Sequence, residues 1–121
     1  MKKVLIIDDD NKNIFALSAT LRSKGYKTLA ATSAEDGLKL IDDDGAVDVV
    51  LMDMMMPEMD GYEAIHVLRN TEDHKTLPVI AVTAQAMKGD REKCLAAGAN
   101  GYISKPVDVD MLVGLLQELT K

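Results

Sequence analysis

Short apolar runs alternate with longer amphipathic stretches along the chain. Val4 to Ile7 is aliphatic throughout, and its length and β-branching predict a buried strand. Asp8-Asp9-Asp10-Asn11 ends it. Ile14, Leu17 and Leu21 then recur at helical spacing, with Phe15 widening the stripe, Ser18 interrupting it and Gly25 as the stop. Lys27 to Ala31 is a weaker second strand. Ser33 with Glu35 and Asp36 starts a second helix, whose stripe is Leu38 and Ile41, and Asp42-Asp43-Asp44-Gly45 closes it at a solvated end.

Asp48 to Asp53 is the most uniformly apolar strand, and the loop after it carries Pro57 and Asp60-Gly61 as turn chemistry. A helix follows over Gly61 to Asn70, with Ile65 and Leu68 inward. The polar loop Thr71 to Thr76 leads to a fourth strand, Leu77 to Thr83, with Pro78 at its start where no ladder donor is lost. Lys88 to Ala97 reads as a short helix stopped by Gly98, and Ala99 to Ser104 as a fifth strand. Beyond Lys105-Pro106, Asp108 or Asp110 caps a last helix carrying Met111, Leu112, Leu115, Leu116 and Leu119. Five alternations with short connections and right-handed crossovers imply a parallel sheet covered on both faces. The expected architecture is one doubly wound α/β domain over residues 1–121.

Composition narrows the function. Twenty acidic against fourteen basic residues, a net charge of -6, argue against nucleic acid, which needs a basic face. A basic partner surface or a cation held by carboxylates suits the balance better. Cys94 is the sole cysteine, so no intrachain disulfide forms, and it reads as a half-buried helix residue. No apolar run approaches the roughly 18 residues of a membrane span. The run after Met1-Lys2-Lys3 stops at three aspartates, which excludes a signal peptide, so a cytoplasmic protein is expected.

In an open parallel sheet the carboxyl ends of the strands share one edge, where ligands bind. That edge collects Asp8 and Asp9 from strand one, Asp53 from strand three, Thr83 from strand four and Lys105 after strand five. Taken alone, Asp53 suits equally a cap for the next segment. Clustered carboxylates raise one another's pKa unless a cation joins them, and hard oxygen ligands suit Mg²⁺. A lysine and a threonine hydroxyl at the same edge suit an anion opposite the metal. The set fits phosphoryl transfer onto a carboxylate.

Together, Ile7-Asp8-Asp9, Leu51-Met52-Asp53 with Met56-Pro57-Glu58-Met59-Asp60-Gly61, Val82-Thr83-Ala84 and Tyr102-Ile103-Ser104-Lys105-Pro106 resemble a bacterial two-component response-regulator receiver domain of the chemotaxis-regulator type. The resemblance covers nearly the whole chain. It implies a flavodoxin-like (βα)5 fold with strand order 2-1-3-4-5. It also implies Asp53 as phosphoacceptor, taking its phosphoryl group from a histidine kinase or histidine phosphotransfer protein. Mg²⁺, or Mn²⁺ in its place, would be held by Asp9 and Asp53, by Asp8 through water and by the Met55 backbone carbonyl. Lys105 and Thr83 would meet the phosphoryl oxygens, Tyr102 would be the aromatic switch, and Lys105-Pro106 would be cis.

The movement implied runs from Thr83 to Met87, and Met55 and Gln85 stand where the family tunes phosphoryl lifetime. The output is a downstream protein target, through a monomer or a phosphorylation-dependent dimer on the face of the fourth helix, fifth strand and fifth helix. Ala84 leaves access for the donor, and exposed apolar residues of the first helix, Phe15 or Ile14, suit a helical phosphodonor. Three alternatives stand beside this. The Asn11 to Leu17 stretch resembles receivers attached to hybrid sensor histidine kinases. A Mg²⁺-dependent aspartyl-phosphate phosphatase would need a second acid where the chain has Met55, and a pseudo-receiver would not need the full acid, threonine and lysine set. Asp10 reads as a solvated neighbour or a helix-start residue, the methionines as packing, and His66 and His74 as surface positions.

Overall fold

A computed structural model describes residues 2–84 and 88–120. Five strands form one parallel sheet in the order β2-β1-β3-β4-β5. They are β1 (Lys3–Ile7), β2 (Lys27–Ala31), β3 (Val49–Asp53), β4 (Val79–Thr83) and β5 (Gly101–Ser104). The helices between and after them are α1 (Asn11–Ser23), α2 (Ala34–Asp44), α3 (Gly61–Arg69), α4 (Asp90–Ala97) and α5 (Val109–Leu119). The expected doubly wound fold and strand order are both present.

Alternation along the strands sorts the core into two layers. Leu5, Ile7, Val50, Met52, Val79 and Ala81 face α2, α3 and α4. Val4, Ile6, Val49, Leu51, Ile80 and Val82 face the Leu17-Leu21 stripe of α1 and Leu112 and Leu116 of α5. Both faces of β3 and β4 are therefore closed, which is why those strands read as unbroken apolar runs. The chain passes from β1 to one face through α1 and from β3 to the other through α3. A crevice opens between the diverging connections, at the carboxyl ends of β1 and β3.

Several boundaries shift for local reasons. Asp48 lies outside β3 because its carboxylate accepts the Lys3 N–H at 2.7 Å. The later start of β5, at Gly101, has a similar origin: Ala99 still belongs to the turn closing α4, its N–H donating to the Cys94 carbonyl at 3.1 Å. Leu77 and Pro78 precede β4, and α4 begins only at Asp90, after Gly89 with φ +86°. Asp108, rather than Asp110, caps α5 by accepting from the Met111 N–H. Asp10 caps α1, and Lys105-Pro106 is cis.

One reading needs correction. Cys94 is fully buried rather than half-buried, because α4 lies over the sheet with that residue beneath it. The acidic end of α2 is exposed, as expected, and two of its carboxylates find surface partners: Asp44 bonds Lys3 Nζ at 3.0 Å and Asp42 meets His74 Nε2 at 2.6 Å.

Arg69 clamps the edge opposite the crevice. Its guanidinium donates to the carbonyls of Gly98 and Leu77 and to Asn100 Oδ1, at 2.8 to 3.0 Å. Bonds from a charged donor are worth more than neutral ones, and their loss leaves acceptors unsatisfied. Arg69→Met keeps much of the stem and is expected to lower stability by about 2 kcal/mol. Urea unfolding checks this, and an unchanged midpoint would show the clamp to be idle.

Candidate functional site

Backbone pairing at the carboxyl edge of the sheet sets the geometry. The Asp8 N–H donates to the Ala31 carbonyl and the Met54 N–H to Val82, carrying the ladder just past Ile7 and Asp53. The Lys105 N–H donates to the Thr83 carbonyl at 2.7 Å, fixing the lysine beside the end of β4. Asp8, Asp53 and Thr83 are each no more than 4% exposed, whereas Asp9 is exposed at the mouth. Carboxylate oxygens of Asp8, Asp9 and Asp53 lie within 4.8 Å of one another. Lys105 Nζ stands 3.3 Å from Asp8 Oδ2 and 3.5 Å from Asp53 Oδ2. The residues picked out by the sequence thus meet in one place.

The charges there are unbalanced. Burial pushes the Asp53 carboxyl up to about 6; the Met55 N–H, 3.1 Å from Oδ1, opposes this, Asp8 adds to it and Lys105 offsets part of it. Burial alone would depress the Lys105 ammonium, but Asp53 and Asp8 outweigh it and leave Lys105 above its ordinary value. One lysine against three carboxylates leaves an excess of negative charge. Three converging hard oxygens, two of them buried, match the donor set of a small divalent cation.

Met55 contributes its peptide to the site while its side chain is exposed. Thr83 lies on the same face of the sheet as Tyr102. Ala81 pairs with Tyr102 and Thr83 with Ser104, so Tyr102 and Thr83 are diagonal neighbours on adjacent strands. The Tyr102 hydroxyl donates to Asp90 Oδ2 at 2.9 Å. Gln85 and Met87 lie outside the described residues.

Asn13 is a site residue that the sequence reading passed over. Its side-chain amide donates to Asp8 Oδ2 at 2.9 Å while the Asp10 N–H holds Oδ1 at the same distance. The available signal was spacing. Asn13 shares a helix face with Leu17 and Leu21, so it is a polar residue at the top of a buried stripe. Asp90 was missed as well, because no local pattern ties the start of α4 to Tyr102.

Comparison with known proteins agrees with this geometry. A family model described as the response regulator receiver domain matches residues 4–117. The chain is 37% identical over 112 residues to the polar-differentiation response regulator DivK of Brucella abortus, covering 93% of this chain and 90% of that protein. It is 32% identical to the rice protein named "Probable histidine kinase 6" across 98% of this chain but only 14% of that one. Among solved structures, it matches the complex of the yeast histidine phosphotransfer protein Ypd1 with the receiver domain of Ssk1. There the TM-score is 0.88 at 26% identity, covering 98% of this chain and 88% of that one. With matching motifs, sheet order and edge chemistry, the chain belongs to the response regulator receiver domain family.

Proposed function

We propose that the chain accepts a phosphoryl group from a phosphohistidine onto Asp53 and thereby switches a protein-interaction surface. The observation carrying this is the buried Asp53 carboxylate with Lys105 Nζ 3.5 Å away and Asp8 and Asp9 converging beside it. An Asp53 oxygen bonds to phosphorus as the phosphorus–nitrogen bond of the donor breaks. The electron pair goes to the imidazole, which leaves with a proton from solvent. Lys105 attracts the phosphoryl oxygens, and the Thr83 hydroxyl donates to one of them. Asp8, Asp9 and Asp53, with the Met55 carbonyl, would hold Mg²⁺ or Mn²⁺; when bound, the cation neutralises charge on the transferring group. Asn13 holds Asp8 in the orientation this requires.

Ala84 is exposed beside the site and leaves room for a donor. Phe15, 77% exposed on α1, gives a helical histidine kinase or phosphotransfer partner an apolar contact. The Ypd1–Ssk1 likeness supports a partner of that kind. The small match to a long histidine kinase supports a second reading, a receiver that is part of a hybrid kinase. Both readings share the chemistry at Asp53. The phosphatase reading lacks its second acid, since position 55 holds a solvent-facing methionine.

The test is intact mass after incubation with acetyl phosphate and Mg²⁺. One alkali-labile phosphoryl group is expected, absent from Asp53→Asn and absent when the metal is chelated. A phosphoryl group that survives in Asp53→Asn would sink the assignment. If no adduct accumulates, a beryllofluoride and Mg²⁺ titration decides, and failure to bind this mimic leaves a receiver that works without phosphorylation.

A further inference from the structure

Outside the acidic crevice, a polar cluster joins α3, α4 and β5. Asp90, the first residue of α4, accepts a hydroxyl on each carboxylate oxygen: Tyr62 on Oδ1 at 3.2 Å and Tyr102 on Oδ2 at 2.9 Å. The Tyr62 hydroxyl also lies 3.7 Å from Cys94 Sγ, and Lys93 Nζ stands 4.6 Å from the Tyr62 ring centre. Among the described residues of α4, Cys94 alone is buried. With so little apolar anchorage, the helix is held to the body largely through this cluster. Asp90 does not cap α4 with its side chain; both its oxygens are spent on the tyrosines.

We propose that Asp90 is a positioning residue for the Tyr102 switch, holding the Tyr102 hydroxyl at α4 in the unphosphorylated protein, with Tyr62 as the partner that keeps Asp90 satisfied when Tyr102 leaves. This rests on the receiver reading and assigns the residue that sets the switch's resting position. Tyr102 and Thr83 are diagonal neighbours on one face, so movement of the ring toward Thr83 requires the Asp90 bond to break. A half-buried carboxylate stripped of both donors would oppose that movement, but Tyr62 on α3 remains in place. The two tyrosines therefore act with opposite sign on the same equilibrium. Tyr102 stabilises the resting arrangement through its bond, and Tyr62 lowers the cost of breaking it. Each ligand-induced shift is limited by such differences between the two states.

The experiment is a calorimetric beryllofluoride and Mg²⁺ titration of the wild type, Asp90→Ala, Tyr102→Phe, Tyr62→Phe and the Asp90→Ala/Tyr102→Phe pair. Asp90→Ala is expected to bind about three- to tenfold more tightly than wild type, the scale of one net hydrogen bond. Tyr62→Phe is expected to bind a few-fold more weakly, and a general loss of packing or stability would not move the two variants in opposite directions. In the Tyr102→Phe background, Asp90→Ala should change nothing. Thermal unfolding identifies any variant that fails to fold; Asp90→Asn, which retains one good acceptor, then takes its place with a smaller effect. Unchanged affinity in Asp90→Ala beside a wild type that binds normally overturns the proposal and leaves the receiver reading intact.

If the wild type itself does not bind beryllofluoride, the receiver reading fails. Tyrosine ring NMR of the ligand-free protein then decides the role of Asp90 separately. Asp90→Ala should move the Tyr102 signals and spare those of Tyr26, and unmoved Tyr102 signals count against it.

Discussion

Metal-free Asp53→Asn protein is expected to outlast the wild type on heating at pH 8, by about 3 kcal/mol or on the order of 10 °C in Tm. The Asp53 carboxyl is buried beside Asp8, and its pKa lies near 6 against an ordinary value of 3.8. Between those values the folded state keeps a proton that the unfolded state has released. Stability therefore falls as pH rises from about 4 to about 6 and is level above that window. An asparagine cannot ionise, so the variant escapes the loss, and Lys105 keeps Asp8 as its partner at 3.3 Å. The difference should close near pH 4, where Asp53 is protonated in both states. Added Mg²⁺ should raise the wild type toward the variant and leave the variant nearly unmoved. Paired melts at pH 4 and pH 8, in chelator and in Mg²⁺, check all three statements. Equal stability at pH 8 in chelator would mean that the acidic crevice is not under repulsive strain.

That strain follows from chain order, which is why much of the site was legible in the sequence. Each of Asp8, Asp53, Thr83 and Lys105 stands at or just beyond a strand end, and a parallel sheet brings those ends to one edge. Uniform apolar runs located β3 and β4, since both faces of each are covered. Strand order was less accessible. Alternation of strands and helices implies parallel pairing but leaves the order among five strands open, and family resemblance supplied it. Side-chain bonds across the fold were also hidden. Asp90 meets Tyr62 and Tyr102 from 28 and 12 residues away, and no periodicity encodes such a meeting. Cys94 was judged half-buried because a short polar helix gives little sign of which residue it presses on the sheet. His74 and Asp42, 32 residues apart, met for the same unreadable reason.

The two substitutions Gly61→Ala and Gly114→Ala are expected to have opposite signs. In an open helical position alanine is favoured, because glycine loses more conformational freedom on folding. Gly114 lies exposed in α5, and a Cβ there meets nothing within 4 Å, so Gly114→Ala should stabilise by about 0.8 kcal/mol. Gly61 opens α3, where Asp60 caps the helix by accepting from the Glu63 N–H and Glu63 reaches back to the Asp60 N–H. That reciprocal cap presses the first turn of α3 onto the end of β3. A Cβ on Gly61 would lie 2.7 Å from Met54 Cα and 3.0 Å from the Asp53 carbonyl oxygen. Backbone cannot swing aside as a side-chain tip can, so either α3 lifts or the end of β3 shifts. Overpacking of this kind outweighs the gain in helix propensity, and Gly61→Ala should lose about 3 kcal/mol. Where the end of β3 yields, the displaced backbone carries Asp53, and the variant should also bind beryllofluoride and Mg²⁺ more weakly. Urea unfolding and the same titration measure the two effects together. A stable Gly61→Ala protein with wild-type affinity would show that α3 can lift from β3 without disturbing Asp53. In that case the close seat of α3 is a matter of packing alone, and the position of the phosphoacceptor is set by the β1–β3–β4 ladder instead.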